Sequence, residues 1–290
     1  MIALLLSILA SSLIFVIFKL FDTYKIDTLQ AIVVNYVIAC GAGLISYQKP
    51  IDLGHISNQN WFLGTFLLGV LFIIVFNLMA ITTQKNGLSV VAVASKMSIA
   101  IPVIFGIFIY NEGTGFWKLT GISIAMLSVY LTSVKSKDGI QISRKDLIFP
   151  LLVFIGSGII DTSLKFLETN YVAKEDVALF SAAIFGFAAI IGVLVLSYQV
   201  LIGKASLKLK NLIGGIALGV PNFFSIYFLI QALRTEGMES ATIFTINNVA
   251  ILIVSTLLGI ALFKEKLLPK NWIGILLATI SIILVATIAQ

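Results

Sequence analysis

Four charged residues stand inside long apolar segments of the sequence. They are Lys19, Lys96, Asp161 and Lys165. On insertion scales a charge at the centre of a membrane helix costs about 2.5–3.5 kcal/mol, so each needs a partner, a water-filled cavity or a route to the interface. The chemistry open to such residues is the binding of an oppositely charged group, gating or proton transfer.

Lys96 is the main candidate for binding or gating. It lies about eight residues into its apolar segment, or about 12 Å along a helix, which is too deep for its ammonium group to reach the headgroups easily. The equivalent stretch of a later apolar segment contains Asn247 and Asn248. We therefore expect a polar spot at one depth. The alternative for Lys96 is a buried structural ion pair.

Asp161 and Lys165 are spaced i,i+4, so on a helix they share one face and can pair. Ser157 and Glu168 extend this face over three turns. One alternative is a self-neutralising pair, and another is that Asp161 neutralises Lys96. Because Asp161 is the only acid deep in an apolar segment, it is also the candidate for proton coupling.

The remaining candidates have strong structural alternatives. Lys19 and Lys165 occupy matching places near the ends of two segments, where snorkelling explains a lysine. Asn77, Asn222 and Tyr227 are uncharged polar residues within apolar segments. Hydrogen bonds between helices are the default role of such residues, and lining a cavity is the alternative.

The elements that position these residues follow from composition. Of the 290 residues 59% are hydrophobic and 11% are charged, with a mean hydropathy of +1.10. This apolar surplus must face lipid, and about 20 apolar residues span a bilayer as a helix. The fold class is therefore all-α and polytopic. We predict ten transmembrane spans at 2–21, 28–47, 61–83, 88–110, 116–134, 147–168, 176–200, 211–234, 238–262 and 270–288.

The same composition argues against several other classes. The net charge of +6 and the pI of 9.3 reflect loop lysines and arginines, without the aromatic interleaving of a nucleic-acid site. Cys40 and His55 are the only residues of their types, which disfavours a metal centre and Cys/His catalysis. No phosphate-binding P-loop motif occurs. We therefore expect neither a cofactor nor enzymatic activity.

Glycine and proline residues within the spans predict close packing and kinks. Gly215 and Gly219 form the small-xxx-small pattern that lets two helices approach closely. Pro102 and Pro221 lie inside spans 4 and 8, where each frees a backbone carbonyl and permits a kink beside a cavity.

Internal similarity divides the chain into two halves, residues 1–134 and 147–290. The similar segments are offset by 146 residues between spans 1 and 6, by 150 between spans 3 and 8, and by 153 after spans 4 and 9. A slowly drifting offset is typical of loop insertions after a duplication. Because five spans is an odd number, the second copy enters the membrane from the opposite side, as in the inverted repeats of secondary transporters. The matched residues are Lys19-Leu20-Phe21-Asp22-Thr23 with Lys165-Phe166-Leu167-Glu168-Thr169; Gly64, Gly69, Val70 and Gly87 with Gly214, Gly219, Val220 and Gly237; and Glu112 and Gly121 with Glu265 and Gly274.

Loop charges predict the orientation in the cytoplasmic (inner) membrane. Most basic loop residues lie in or near the 5–6, 7–8 and 9–10 loops, so the positive-inside rule places these loops in the cytoplasm and both termini outside.

The chain resembles the EamA family of the drug/metabolite transporter superfamily. The residues that carry the resemblance are Gly87 through Pro102 and Asn111-Glu112 with Gly121, and in the second half Gly237 onward and Lys264-Glu265-Lys266 with Gly274. The resemblance implies a metabolite exporter or exchanger, with spans 1, 3, 4, 6, 8 and 9 around a central cavity and spans 5 and 10 at the periphery. It also implies cytoplasmic termini, opposite to the loop charges, so the orientation stays open.

Three lysines against one aspartate in the spans favour a substrate with a carboxylate or phosphate. We therefore expect a secondary transporter of a small organic metabolite, an amino acid or an organic anion, working by alternating access with export as the expected direction. The alternatives are a translocase of lipid or lipid-linked sugar and a non-transporting sensor or scaffold. Proton coupling and a homodimer are left open.

Overall fold

Ten helices follow the ten predicted spans in the computed structural model, which describes residues 1–50, 53–86, 94–111, 113, 115–133, 148–263 and 267–284. We label these helices α1 to α10. A short helix, Leu53–Ser57, precedes α3, and a 3₁₀ turn, Lys174–Asp176, precedes α7. The ten helices are α1 (Ile2–Tyr24), α2 (Thr28–Ser46), α3 (Phe62–Asn86), α4 (Ala100–Tyr110), α5 (Phe116–Ser133), α6 (Ile148–Tyr171), α7 (Val177–Leu201), α8 (Leu209–Leu233), α9 (Ser240–Phe263) and α10 (Pro269–Ile283).

The helices have the length and surface of membrane spans. Seven of them are long and apolar enough to cross a bilayer, and the apolar helices of spans 4, 5 and 10 are shorter within the described residues. Large apolar side chains such as Ile45, Phe108 and Leu194 are exposed on the helix surfaces, where a soluble protein would carry polar groups. The chain is therefore a multi-pass α-helical membrane protein, as predicted.

The connection between α1 and α2 is fixed by local hydrogen bonds. Lys25 adopts a left-handed conformation (φ 51°) just after α1, and the N–H of Ile26 donates to the carbonyl of Phe21 at 2.9 Å, which closes the end of α1. Asp27 caps α2, because its carboxylate accepts from the N–H of Gln30 at 3.1 Å.

Span 4 is interrupted close to Lys96. Residues 94–97 are helical, residues 98 and 99 form a turn, and the regular helix α4 begins at Ala100. Pro102 has no N–H to donate to the carbonyl of Ser98, and the N–H of Ile101 donates to it instead at 2.9 Å. The irregular backbone predicted from Pro102 therefore begins two residues after Lys96.

The helices group into two compact units. Unit 1 comprises Met1–Leu4, Val75–Thr162 and Ala232–Gln290, and unit 2 comprises Leu5–Ile74 and Ser163–Gln231. Each unit therefore takes segments from both of the predicted halves.

In unit 1, α5 and α10 pack antiparallel. The hydroxyl of Ser281 donates to the carbonyl of Gly121 at 2.7 Å, and the amide of Asn271 donates to the carbonyl of Leu131 at 2.8 Å. Residues near the start of one helix thus meet residues near the end of the other. Polar side chains in this pair bond to backbone carbonyls, so no side-chain partner on the facing helix is needed.

In unit 2, glycines bring α2 against two neighbouring helices. Gly43 faces Ala182 of α7 and Gly192 of α7 faces Val33, so α2 and α7 run antiparallel. Gly215 and Gly219 of α8 lie against α2, where added methyl groups would meet Val34 and Ile38. The close packing predicted for the small-xxx-small pattern is confirmed.

Candidate functional site

Unit 1 contains a polar pair between spans 4 and 9. The ammonium group of Lys96 donates to the Oδ1 of Asn248 at 3.0 Å. The same amide donates from its Nδ2 to the carbonyl of Phe244 one turn earlier at 3.1 Å, which fixes the oxygen toward the lysine. Lys96 is half-buried and Asn248 is buried. The polar spot predicted from these two spans is therefore a direct contact.

Asp161 lies near this pair on α6. Gly158, one turn before it, packs directly against Ile101 of α4. The opposite charges of Asp161 and Lys96 attract each other. Asp161 is half-buried, and its carboxylate receives no hydrogen bond from the part of the chain that the structure describes. Of the alternatives for Asp161, the structure thus favours the one in which its charge balances Lys96.

Asn247, the residue before Asn248 on α9, carries a further buried acceptor. Its side chain is 5% exposed, and its Oδ1 receives no hydrogen bond within the described ranges. An amide oxygen buried without a donor costs about 1–3 kcal/mol, so such atoms usually have a function or an unseen partner.

Unit 2 contains a second charged pair, Lys165 and Glu168. Glu168 was not among the four charged residues that the sequence analysis placed within the spans. Lys165 lies 3.5 Å from the carboxylate of Glu168, which is 3% exposed, and the hydroxyl of Thr169 donates to the same carboxylate at 3.2 Å. The prediction placed Glu168 at the edge of span 6, but α6 continues to Tyr171. Glu168 is therefore a further charged residue within α6, beside Lys165. Lys19 is half-buried in the same unit.

The uncharged candidates occupy different settings. In unit 2, the amide of Asn222 donates to the Oδ1 of Asn35 at 3.0 Å, which is the helix-to-helix role expected by default. Tyr227 stacks on Phe223, with ring centroids 5.5 Å apart. In unit 1, Asn77 is exposed. Asn222 therefore joins α8 to α2, whereas the ring stacking of Tyr227 lies within α8.

A polar network at one end of unit 2 was not predicted. Asn211 accepts from the backbone N–H of Asp27 at 3.0 Å and donates to the side chain of Gln30 at 2.7 Å. The amide of Gln30 donates to the carbonyl of Ser206 at 3.0 Å. Asn211 is the first residue of the predicted span 211–234, and a single polar residue at the start of a span does not predict a hydrogen-bond network. The network joins the start of α2 to the start of α8.

Outside the spans, Tyr47 contacts the start of α7. Its hydroxyl donates to Asp176 at 3.2 Å. Burial raises the pKa of Tyr47 above its ordinary value, and the neighbouring Asp176 carboxylate raises this pKa further.

Several predicted positions lie outside the described residues. They are Gly87, Glu112, Lys264, Glu265 and Lys266. Among the residues that the structure does describe, no group of three His, Cys, Asp or Glu side chains could hold a metal ion.

The helices and the polar site define a class, that of multi-pass membrane proteins with charged residues within their spans. No protein-family model matches the chain. It is 27% identical over 275 residues to an uncharacterized protein of Haemophilus influenzae, an alignment that covers 93% of this chain and 92% of the relative. A solved crystal structure matches it with a TM-score of 0.75 at 12% identity, over 99% of this chain and 96% of that one. At this identity the match establishes the fold alone.

Proposed function

We propose that this chain is a secondary transporter that moves a small organic metabolite carrying a carboxylate across the cytoplasmic membrane by alternating access. The observation that carries the proposal is the contact between Lys96 and Asn248, with Asp161 nearby. A charged lysine within the spans costs free energy unless an oppositely charged or hydrogen-bonding group pairs with it. Charged residues at such places mark substrate and ion pathways in membrane proteins. The construction we propose is the inverted five-span repeat of the EamA family.

Paired glycine contacts support the inverted repeat. Gly64 packs against Leu167 of α6, and Gly214 packs against Phe21 of α1. The two glycines are 150 residues apart and their two partners are 146 residues apart, which are the offsets between the halves. A glycine of α3 in the first half thus contacts α6 in the second half, and the matching glycine of α8 in the second half contacts α1 in the first half. Two copies related by a two-fold axis exchange contacts in this way.

A second pair of contacts has the same relation. Gly69 lies against Phe187 of α7, and Gly219 lies against Ile38 of α2. The glycines are again 150 residues apart, and their partners are 149 apart. Within unit 1, Ala125 and Ala278 share one core cluster, and they are 153 residues apart.

The polar pair itself follows the internal symmetry. Lys96 and Asn248 are separated by 152 residues, which lies between the offsets of 150 and 153 on either side of them. The two side chains thus come from equivalent places in the two halves. In inverted-repeat transporters the substrate binds at the interface between the repeats near the bilayer midplane, often beside an interrupted helix. The turn after Lys96 is an interruption of this kind.

Counterflow in proteoliposomes tests the proposal. Vesicles preloaded with unlabelled amino acids, hydroxy acids, oxo acids or dicarboxylates take up the labelled compound only if the protein exchanges it. We expect Lys96→Ala to lower the exchange at least about tenfold, because a charge-assisted hydrogen bond contributes about 1.5–3 kcal/mol. Lys204→Ala is the matched control, since Lys204 is exposed in the loop between α7 and α8.

Normal exchange by Lys96→Ala would contradict the assigned role. If none of the compounds exchanges while the same vesicles move fluorescent lipid between leaflets, the translocase alternative replaces the proposal. If neither assay responds although the protein is folded, the chain is not a transporter of these classes.

A further inference from the structure

One end of unit 2 carries exposed lysines on two neighbouring connections. Lys25 lies between α1 and α2, and Lys208 and Lys210 lie on either side of Leu209, the first residue of α8. A hydrogen bond holds the two connections together, because the ammonium group of Lys210 donates to the carbonyl of Tyr24 at 3.1 Å. All three lysines are exposed, and together they form one lysine surface.

The two ends of unit 2 differ in charge. Because α2 and α7 run antiparallel, the end of α2 lies beside the start of α7, at the end of the unit opposite to the lysine surface. Among the described residues, that opposite end has two lysines and two acids, which are Lys49, Lys174, Glu175 and Asp176. At the lysine surface the described side chains include three lysines and one acid, Asp27, which caps α2. An excess of positive charge is thus a property of one end.

Apolar side chains are exposed among these lysines where the spans end. Leu201 at the end of α7, Leu207 in the loop and Leu209 at the start of α8 are largely exposed, and so is Tyr24 at the end of α1. At the edge of a bilayer, leucines reach the acyl chains while lysine ammonium groups stay at the level of the phosphates. A soluble acidic protein would match the lysines but leave these leucines in a polar setting. The mixed surface therefore fits a phospholipid better.

We infer that the surface formed by Lys25, Lys208 and Lys210 binds the headgroup of an anionic phospholipid from the surrounding bilayer. The phosphate oxygens accept hydrogen bonds from the lysine ammonium groups. Each lysine near a negatively charged membrane surface raises the affinity about fivefold. A zwitterionic phospholipid has no net negative charge and is attracted less. This inference is independent of the proposed transport function.

A fluorescent reporter at the surface tests the inference in vesicles. Leu207→Trp places an indole next to Lys208, Trp117→Phe and Trp272→Phe remove two exposed tryptophans, and the fully buried Trp61 is kept. Phospholipids with brominated acyl chains quench the fluorescence of a tryptophan that they contact. In phosphatidylcholine vesicles, we expect brominated phosphatidylglycerol to reach half-maximal quenching at a membrane fraction about five to twenty-five times lower than brominated phosphatidylcholine does, which corresponds to one or two lysines.

Lysine variants of the reporter protein assign this preference to the surface. Lys208→Gln with Lys210→Gln should bring the two lipids within about twofold of each other. Lys208→Gln alone keeps the hydrogen bond of Lys210 to Tyr24 and should lower the preference about fivefold, so the test does not depend on the folding of the double variant. Lys49→Gln with Lys174→Gln, at the opposite end, is the matched control and should leave the preference unchanged. Added salt should weaken the preference, because ions screen exposed charges.

Three results would overturn the inference. The first is equal quenching by the two lipids. The second is a preference that survives Lys208→Gln with Lys210→Gln, or that the control variant at the opposite end removes to the same extent. The third is quenching by soluble poly-L-glutamate that carries a quencher, without a preference between the lipids, in which case the surface binds an acidic protein segment. None of these measurements involves transport, so the proposed function stands or fails separately.

Discussion

Two glycines near the contact between α2 and α8 differ in what an added methyl group would meet. At Gly219 of α8, a Cβ atom would lie 2.6 Å from the Cβ of Ile38 and 2.8 Å from the carbonyl oxygen of Asn35. At Gly41 of α2, no atom lies within 4 Å. We therefore expect Gly219→Ala to destabilise unit 2 and Gly41→Ala to leave it intact.

The magnitude follows from the distances. Ordinary contact begins at about 3.4 Å, so α8 would have to move away from α2 by most of an ångström against backbone atoms that cannot rotate aside. Overpacking of this kind costs about 1–3 kcal/mol. Both variants gain the higher helix propensity of alanine, about 0.5–1 kcal/mol. Gly41→Ala should therefore be neutral or slightly stabilising, and Gly219→Ala should be about 1–3 kcal/mol less stable than Gly41→Ala.

Tryptophan fluorescence during denaturation in mixed micelles measures the difference. Trp61 is fully buried in unit 2, where its ring meets Phe180 edge-on with centroids 5.9 Å apart, so it reports on the unit that contains the contact. A shift of about 1 kcal/mol corresponds to about 2–4 °C in melting temperature for a chain of this size class. Equal midpoints for Gly219→Ala and Gly41→Ala would refute the packing of α8 on α2.

Three further predictions concern polar contacts. Glu168→Gln removes the negative partner of Lys165 in a largely buried place, and we expect a loss of about 1–3 kcal/mol in unfolding free energy, with recovery in the double variant that also carries Lys165→Met. Asn271→Leu removes two hydrogen bonds to backbone groups, one of them across helices, and should cost about 1–3 kcal/mol in the same unfolding assay; an unchanged midpoint would contradict this. Because the pKa of Tyr47 is raised above its usual value of about 10, its contribution to stability should be present below that pH and lost as the pH rises through the raised pKa. Ultraviolet titration of Tyr47→Phe against the parent should show that the missing phenol titrates above pH 10, and Asp176→Asn should lower that midpoint.

The fold could largely be predicted because lipid imposes a simple rule. A span needs about 20 apolar residues, and polar linkers stop it, so hydropathy alone placed ten spans close to the ten helices. The α1–α2 turn was harder to predict, because the residue in the left-handed conformation is Lys25 and not a glycine, the residue type that usually indicates such a turn. The glycines of α8 were informative, since small residues spaced by four predict a helix contact whatever the partner is.

The partners of polar side chains could not be predicted in the same way. Asn35 and Asn222 are 187 residues apart, and their hydrogen bond depends on the rotation and register of two helices. The contact of Lys96 with Asn248 could be predicted only because the internal repeat relates their two spans. Where no repeat relates two positions, as for Asn211 and Gln30, a lone polar residue at a span edge gives no indication of its partner.

A difference of three residues in the end of span 6 changes the balance of charges within the spans, and with it the expected substrate. With span 6 ending at residue 168, Glu168 belongs to the interface, three lysines face one aspartate, and an anion is the expected substrate. With α6 ending at Tyr171, Glu168 is buried beside Lys165 and neutralises it within unit 2. In unit 1, the opposite charge of Asp161 acts on Lys96. An excess of positive charge no longer favours an anion at Lys96, so the choice of substrate depends on whether a ligand can satisfy Lys96 and Asp161 together.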